Sequence, residues 1–445
     1  MAVHLPPRSL AAARNLRPRL AALGGALALG LAAIVFARAG EAAQDLFGRL
    51  SRAWPYAPLV LTPALFIAVT WATRLYCAPA RGSGIPQVMA AAEAPSHKLI
   101  APLLSLRTAG AKFLGTLGML LAGGSVGREG PTVQISAAIM VAVHKALRVP
   151  VSSGVIIAGG AAGVAAAFNT PLAGVAFAIE ELASAFEQRL ALLVMLAVMT
   201  SGLVSLALSG DYVYFGAMSE HVPIVPALVA ALVTGVAGGL TGGLFARALS
   251  RFGEIDTGWI GAMRARPVLL AGGLGLIVAV IGILTHGLTW GTGYGTTRGL
   301  LTGGDASAWF GPAKFVTTLA TALSGAPGGI FAPSLSVGAG LGQLAGALFP
   351  PDYSGAVAML GMIAYFAGVT RAPLTAVIIV MEMTADRAMI LPLFAAALVA
   401  DHVSAQVCPE KLYHTLSHPF RVHPHHPAPK PAAQTPPAPA APAAD

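Results

Sequence analysis

Gly123-Gly124-Ser125-Val126-Gly127-Arg128-Glu129-Gly130-Pro131 sets a full negative charge, Glu129, inside one of the most apolar stretches of the chain. Phe113 to Ala122 lies before it, and Val133 to Val143 after it carries no charge. An ionisable group at membrane depth costs roughly 2.5 to 17 kcal/mol unless it faces water or an ion. Glycines on both sides of Glu129 break the helix and free backbone N–H groups to point at whatever sits beside the carboxylate. Pro131 then opens the next helix in its first turn, where a missing N–H costs nothing. A helix start attracts anions, and this one brings an anion of its own on a side chain.

Composition supplies the setting. The chain has 445 residues, 56% hydrophobic and 10% charged, with mean hydropathy +0.74, which excludes an ordinary soluble domain. The windows Ala21–Ala37, Leu59–Trp71, Leu190–Leu208, Val225–Phe245 and Val268–Leu284 are candidates to cross about 30 Å of hydrocarbon. The fold class expected is an all-α polytopic membrane protein. The net charge of +9 is no nucleic-acid footprint, because the basic residues sit mainly in tails and short loops. Cys77 and Cys408 are too far apart in sequence to suggest a disulfide framework or a metal motif.

Arg8, Arg14, Arg17 and Arg19 precede the first acid, Glu41, so residues 1–20 read as a basic cytoplasmic segment. A cleavable leader ending near Ala37–Ala43 is the alternative reading of this start, though the apolar run suits a first span. At the other end, residues 416–445 form a Pro/Ala/His-rich tail with nine of the chain's 33 prolines, expected to be disordered. Its histidines, His418, His423, His425 and His426, suit loose metal binding or plain polar filler.

A repeat emerges within the chain itself. Ala111-Lys112-Phe113 recurs as Ala313-Lys314-Phe315, Pro131 as Pro333, Pro171-Leu172 as Pro373-Leu374, and Glu180 as Glu382, all at an offset of 202 (313 − 111). Two halves, near 21–215 and 220–410, explain this within a transport unit of about 21–415. Transporter repeats commonly run inverted, with the substrate site where broken helices of both halves meet. Gly82-Ser-Gly-Ile-Pro86, Gly127-Arg-Glu-Gly-Pro131 and Gly329-Ile-Phe-Ala-Pro333 are the expected breaks, each a flexible turn before a proline-started helix. Gly346-Ala-Leu-Phe-Pro350 shares the spacing but reads as the end of an apolar segment.

These three segments, in this order, resemble the signature segments of the CLC chloride channel and transporter family. Ala165 to Gly174 with Glu180-Glu181, and Arg371 to Thr375 with Met381 to Thr384, support the likeness, which covers about 21–415. The resemblance implies a homodimer of inverted-repeat subunits in a prokaryotic-type plasma membrane, both termini cytoplasmic, each subunit with its own anion pathway. Chloride and protons are then the transported partners, with no cofactor, no nucleic acid and no regulatory domain after the membrane unit.

Roles follow position by position. Ser83 resembles the serine whose hydroxyl donates to the central chloride; an N-cap is its plainer reading. The amides of Ile330 and Phe331 resemble the second half's contribution to that ion, and Tyr413 the tyrosine whose phenol also donates, against the plainer reading of an interface anchor. Glu129 resembles the external gating glutamate, competing with chloride for the amides near Arg128 and Gly130; only the carboxylate can leave by becoming neutral. Glu181 resembles the internal proton-transfer glutamate and Glu180 its neighbour, where two acids at a helix end otherwise read as a solvated boundary. Lys112 and Lys314 are expected to neutralise carboxylates or deepen the anion's electrostatic well, with snorkelling as the alternative for Lys314. Gln87 departs from the family, which often has an acid there.

A serine at position 83 favours chloride over nitrate, and the intact Arg-Glu-Gly-Pro run argues against the fluoride branch. The expected function is a secondary-active exchanger of chloride for protons, with Glu129 as external gate and Glu181 as internal proton acceptor. A passive, Glu129-gated chloride channel is the alternative. A membrane enzyme using Glu129, Glu180 and Glu181 as acids and bases lacks any metal motif or nucleophile–base set, so no enzymatic activity is expected.

Overall fold

A computed structural model describes residues 7–183, 188–210, 215–216, 222–255, 257–384, 386 and 388–421. The bulk of the C-terminal tail and its histidines beyond His418 lie outside the described residues. The first half runs through α1 (Pro7–Ala53), α2 (Pro58–Tyr76), α3 (Ile85–Glu93), α4 (His97–Leu103), α5 (Leu106–Leu121), α6 (Glu129–Ala146), α7 (Ser153–Phe168), α8 (Pro171–Phe177) and α9 (Gln188–Ser209). The second runs through α10 (Ile224–Glu254), α11 (Gly258–Arg264), α12 (Pro267–Leu284), α13 (Tyr294–Leu301) and α14 (Phe310–Leu323). It continues with α15 (Phe331–Gly346), α16 (Ser354–Thr370), α17 (Pro373–Thr384), α18 (Ile390–Val407) and α19 (Leu412–Ser417). The described fold is all-α.

Seven described helices are long and apolar enough to cross a membrane, and each of the five windows named above falls in one of them. The small residues Ala37–Ala43 lie within the unbroken α1. Most of the other described helices are shorter, and several begin at a glycine turn or a proline. In lipid such interruptions are tolerated only where protein or a water-filled cavity receives the freed backbone groups. Accordingly the broken starts of α3, α6 and α15 are buried.

The two halves correspond in detail. α7 and α16, apolar all round and buried along almost their whole length, form the centre of each half. Both end on a left-handed residue, Asn169 (φ 57°) and Arg371 (φ 57°), again 202 apart (371 − 169), and both are followed by a proline-started helix, α8 or α17.

The halves join at a two-stranded seam. Gly127 N–H donates to Gly329 C=O at 2.7 Å and Gly329 N–H returns the bond to Gly127 C=O at 2.8 Å. These residues are repeat equivalents (329 − 127 = 202), so the fold pairs a position with its own copy across a two-fold relation. A Cβ on Gly329 would lie 3.0 Å from Pro131 Cδ and 3.1 Å from Gly127 O, so a side chain there would crowd the two backbones at their closest approach. The inverted repeat with broken helices meeting between the halves is the architecture observed.

Candidate functional site

Three glycine turns converge on the seam. Gly328 N–H donates to Gly82 C=O at 3.1 Å, tying the third segment to the first. A Cβ on Gly130 would run into the Ser83 hydroxyl, so the first and second segments are also in contact. Ser83, Glu129, Gly130, Ile330 and Phe331, more than 240 residues apart at the extremes (331 − 83), therefore share one buried place.

Ser83 does not cap α3 with its side chain. Its Oγ is buried with no hydrogen-bond partner among the described residues, and the same is true of the Tyr413 hydroxyl. Tyr413 is wholly buried on α19, which removes the interface-anchor reading. Its ring lies 5.9 Å from that of Phe331, which also packs on Phe366 at 4.8 Å, Phe177 at 6.0 Å and Phe168 at 6.1 Å. Two orphaned hydroxyls against an aromatic wall are an unfavourable arrangement unless an acceptor joins them. A cavity of about 270 Å³ reaches this pair, its lining including Ser83, Ile330, Tyr413, Arg74, Arg81 and Arg264. Three guanidinium-bearing side chains thus border the same cavity as the two hydroxyls.

The loop that presents Ser83 is braced from beneath. Lys112 is fully buried and donates from Nζ to Gly82 C=O at 2.7 Å and to Arg81 C=O at 3.2 Å. Gln87 Nε2 donates to Arg81 C=O at 2.7 Å and to Pro79 C=O at 3.1 Å, which gives the departure at this position a structural purpose. Lys314 is also fully buried, so it does not snorkel; its Nζ donates to Gly291 C=O at 2.7 Å and to Thr289 C=O at 2.9 Å. Neither lysine pairs with a carboxylate among the described residues. An ammonium in apolar surroundings must find acceptors, and the carbonyls of a glycine turn are the nearest available.

Glu129 opens α6 and is wholly buried. Its Oε1 accepts the Tyr294 hydroxyl at 2.7 Å, while Oε2 has no hydrogen-bond partner among the described residues. Arg128 turns the other way, donating from Nη1 to Ala37 C=O at 2.6 Å and to Glu41 at 2.9 Å. Its side chain thus ties the start of α6 to α1. Tyr294 escaped the sequence reading. Its signal is Gly291-Thr292-Gly293-Tyr294, which echoes Gly82-Ser83-Gly84-Ile85 at an offset of 209 (291 − 82), outside the register of 202.

Glu180 and Glu181 part company at the π-helical turn Ala178–Leu182 after α8. Both Glu180 oxygens accept backbone N–H groups of the opposite half, Leu374 at 3.1 Å and Thr375 at 2.7 Å. Its repeat equivalent Glu382 does the reverse, accepting Leu172 N–H at 3.1 Å and Ala173 N–H at 2.8 Å. Each acid caps the helix of the other half. Glu181 points elsewhere: its side chain is 2% exposed, and its Oε1 lies 3.7 Å from the half-exposed Lys411 Nζ. It lines a second cavity of about 690 Å³ with Glu93, Glu180, Lys411, His414 and Arg421. Arg421 pairs with Glu93 at 3.0 Å, and burial followed by the nearby Arg421 and His418 lowers the His414 pKa, favouring its neutral form.

A sequence profile described as "Voltage gated chloride channel" matches residues 64–405. The chain belongs to that family. Its relatives include the H(+)/Cl(-) exchange transporter ClcA of Yersinia pestis bv. Antiqua (strain Angola), 33% identical over 82% of this chain and 77% of the relative. ClcA of Salmonella agona (strain SL483) is 32% identical over 89% of this chain and 87% of the relative. Among solved structures, a slow cyanobacterial Cl-/H+ antiporter superposes with TM-score 0.78 at 25% identity, covering 90% of this chain and 97% of the other. A CLC-type fluoride/proton antiporter gives 0.75 at 25% identity, covering 93% and 99%.

Proposed function

We propose that the protein exchanges chloride for protons across the membrane. Chloride reaches the Ser83 and Tyr413 hydroxyls and the amides at the starts of α6 and α15, where Ile330 and Phe331 stand. Glu129 is the outer gate: ionised, it occupies an anion seat near the Arg128 and Gly130 amides; neutral, it yields the seat. Glu181 takes protons from the inner solution through the cavity it lines. Glu180 belongs with the helix caps, its oxygens being engaged by backbone donors.

The observation that carries this reading is the buried Glu181 carboxyl at a cavity distinct from the one that reaches Ser83. A passive channel needs no buried acid there, whereas an exchanger needs a group that is costly to keep charged and so can carry a proton. The two curated relatives named as H(+)/Cl(-) exchangers support the same choice. We place the protein in a prokaryotic plasma membrane as a homodimer, both termini cytoplasmic, one pathway per subunit.

Purified protein in liposomes, with voltage controlled, tests this directly. A chloride gradient alone should drive protons uphill; chloride flux without proton movement would leave the passive channel. Glu181→Gln should abolish proton movement while chloride still passes. Glu129→Gln, fixed in the neutral state, should lose coupling and most of the pH dependence of chloride flux. Bromide soaked into crystals of Glu129→Gln should add density beside the Arg128 and Gly130 amides. Fluoride flux exceeding chloride flux would move the protein to the other anion.

A further inference from the structure

The loop before α13 is built like the loop before α3. Gly82 and Gly84 adopt φ of 64° and 107°; Gly291 and Gly293 adopt 63° and 83°. Lys112 grips the carbonyls of the first loop, and Lys314, its repeat equivalent, grips those of the second. The second loop is tied down further: Ser336 Oγ donates to Thr292 C=O at 3.0 Å, and Thr292 N–H donates to Gln44 Oε1 at 2.9 Å. A Cβ on Gly293 would meet Ser336 Oγ at 2.5 Å and Lys314 Cε at 3.1 Å, so the loop has no slack for a side chain there.

What the two loops present differs. The first offers the short hydroxyl of Ser83. In the second, Thr292 is the register equivalent of Ser83, but its hydroxyl donates to Gln44 Oε1 at 3.2 Å. The projecting group is instead Tyr294, equivalent to the aliphatic Ile85, and its hydroxyl donates to Glu129 at 2.7 Å. The Tyr294 ring is seated against Phe215 at 5.7 Å, edge to face, and Phe215 N–H is fixed to Met383 C=O at 3.1 Å. A phenol on a loop this constrained is preorganised toward one acceptor.

We propose that Tyr294 is the positioning residue of the gate, its hydroxyl holding the Glu129 carboxylate in the seat from which it excludes an anion. The first-half loop thus serves the anion and its second-half copy serves the anion's rival. This rests on Glu129 being the gate. A hydrogen bond to a charged acceptor is strong enough that its loss shifts such a competition by roughly tenfold or more.

The test is chloride binding by calorimetry, together with liposome coupling, for Tyr294→Phe with Glu129 present and in a Glu129→Ala background. Tyr294→Phe keeps the ring that packs on Phe215 and removes only the donor. With Glu129 present, chloride should bind roughly tenfold tighter and chloride should slip past without protons. In the Glu129→Ala background the same change should leave chloride affinity unmoved, because the acceptor is gone. An unchanged affinity with Glu129 present, or an equal shift without it, would overturn the proposal; the second result would assign Tyr294 to packing alone. Should Tyr294→Phe fail to fold, Phe215→Leu loosens the ring's seat and should tighten chloride binding in the same direction, and no tightening would count against the latch. If Glu129→Ala by itself leaves proton coupling intact, the gate reading fails and the latch with it. If Glu129→Ala uncouples while Tyr294→Phe changes nothing, only the latch fails.

Discussion

Ser83 and Tyr413 each bury a hydroxyl that finds no hydrogen-bond partner among the described residues, and the energetic balance of the site turns on such small groups. A buried polar group left unpaired costs about 1–3 kcal/mol. Lys112 poses the same question from below, since its ammonium satisfies the Gly82 and Arg81 carbonyls. Lys112→Met keeps the length and apolar stem but removes the charged donor from both, leaving Arg81 C=O to Gln87 and Gly82 C=O to the Gly328 N–H. Chloride affinity should fall at least tenfold and the melting temperature should drop, while Lys112→Arg should recover part of both. Wild-type chloride affinity in a folded Lys112→Met variant would show that the loop holds Ser83 without this support. The sequence marked Lys112 as a buried cation, but not its partners. A search for carboxylates misses carbonyls, because every residue has one and only the fold decides which are near.

At the scale of elements, the broken helices were legible because glycine and proline punctuate the chain at positions where backbone geometry demands them. Gly82 to Pro86, Gly127 to Pro131 and Gly329 to Pro333 each lead into a helix start, and Gly346 indeed closes α15. The start of α13 was hidden because its loop falls seven residues out of the repeat register (209 − 202). The distinction between Glu180 and Glu181 was equally hidden, since it depends on helices some 190 residues away in sequence (374 − 180 = 194). Glu180 and Glu382 form a reciprocal pair of caps, each with charge-assisted bonds at a helix start. Such caps contribute about 0.5–2 kcal/mol apiece. Glu382→Gln should lower thermal stability by that order and leave proton coupling present, whereas Glu181→Gln should do the opposite. Loss of coupling in Glu382→Gln at unchanged stability would place that acid in the proton route instead.

On the scale of the whole molecule, the repeat in the sequence and the two-fold relation in space are one fact seen twice. Equal offsets across Lys112, Pro131, Pro171 and Glu180 predicted two similar halves. They did not predict that Gly127 would bond to its own copy, because a repeat fixes what each half looks like and not how the two dock. The departures from symmetry then carry the differentiation: Glu129 has its equivalent in Phe331 (331 − 129 = 202), and Ile85 has its in Tyr294.

The glycine seam also bears on how the protein comes into being. Gly329 cannot pair with Gly127 until more than 200 further residues have been synthesised, so the transport site closes only when the second half arrives. Contacts so distant in sequence form slowly, and a nascent first half must hold its unpaired turn safely within the membrane meanwhile. Hydrogen bonds and the reciprocal caps cross between the halves. Two polypeptides, 1–216 and 217–445, produced together should therefore find each other and restore chloride flux in vesicles, while either alone should give none. Failure of the paired fragments to assemble would mean that the covalent link, and the order of synthesis it imposes, is itself part of what makes the site.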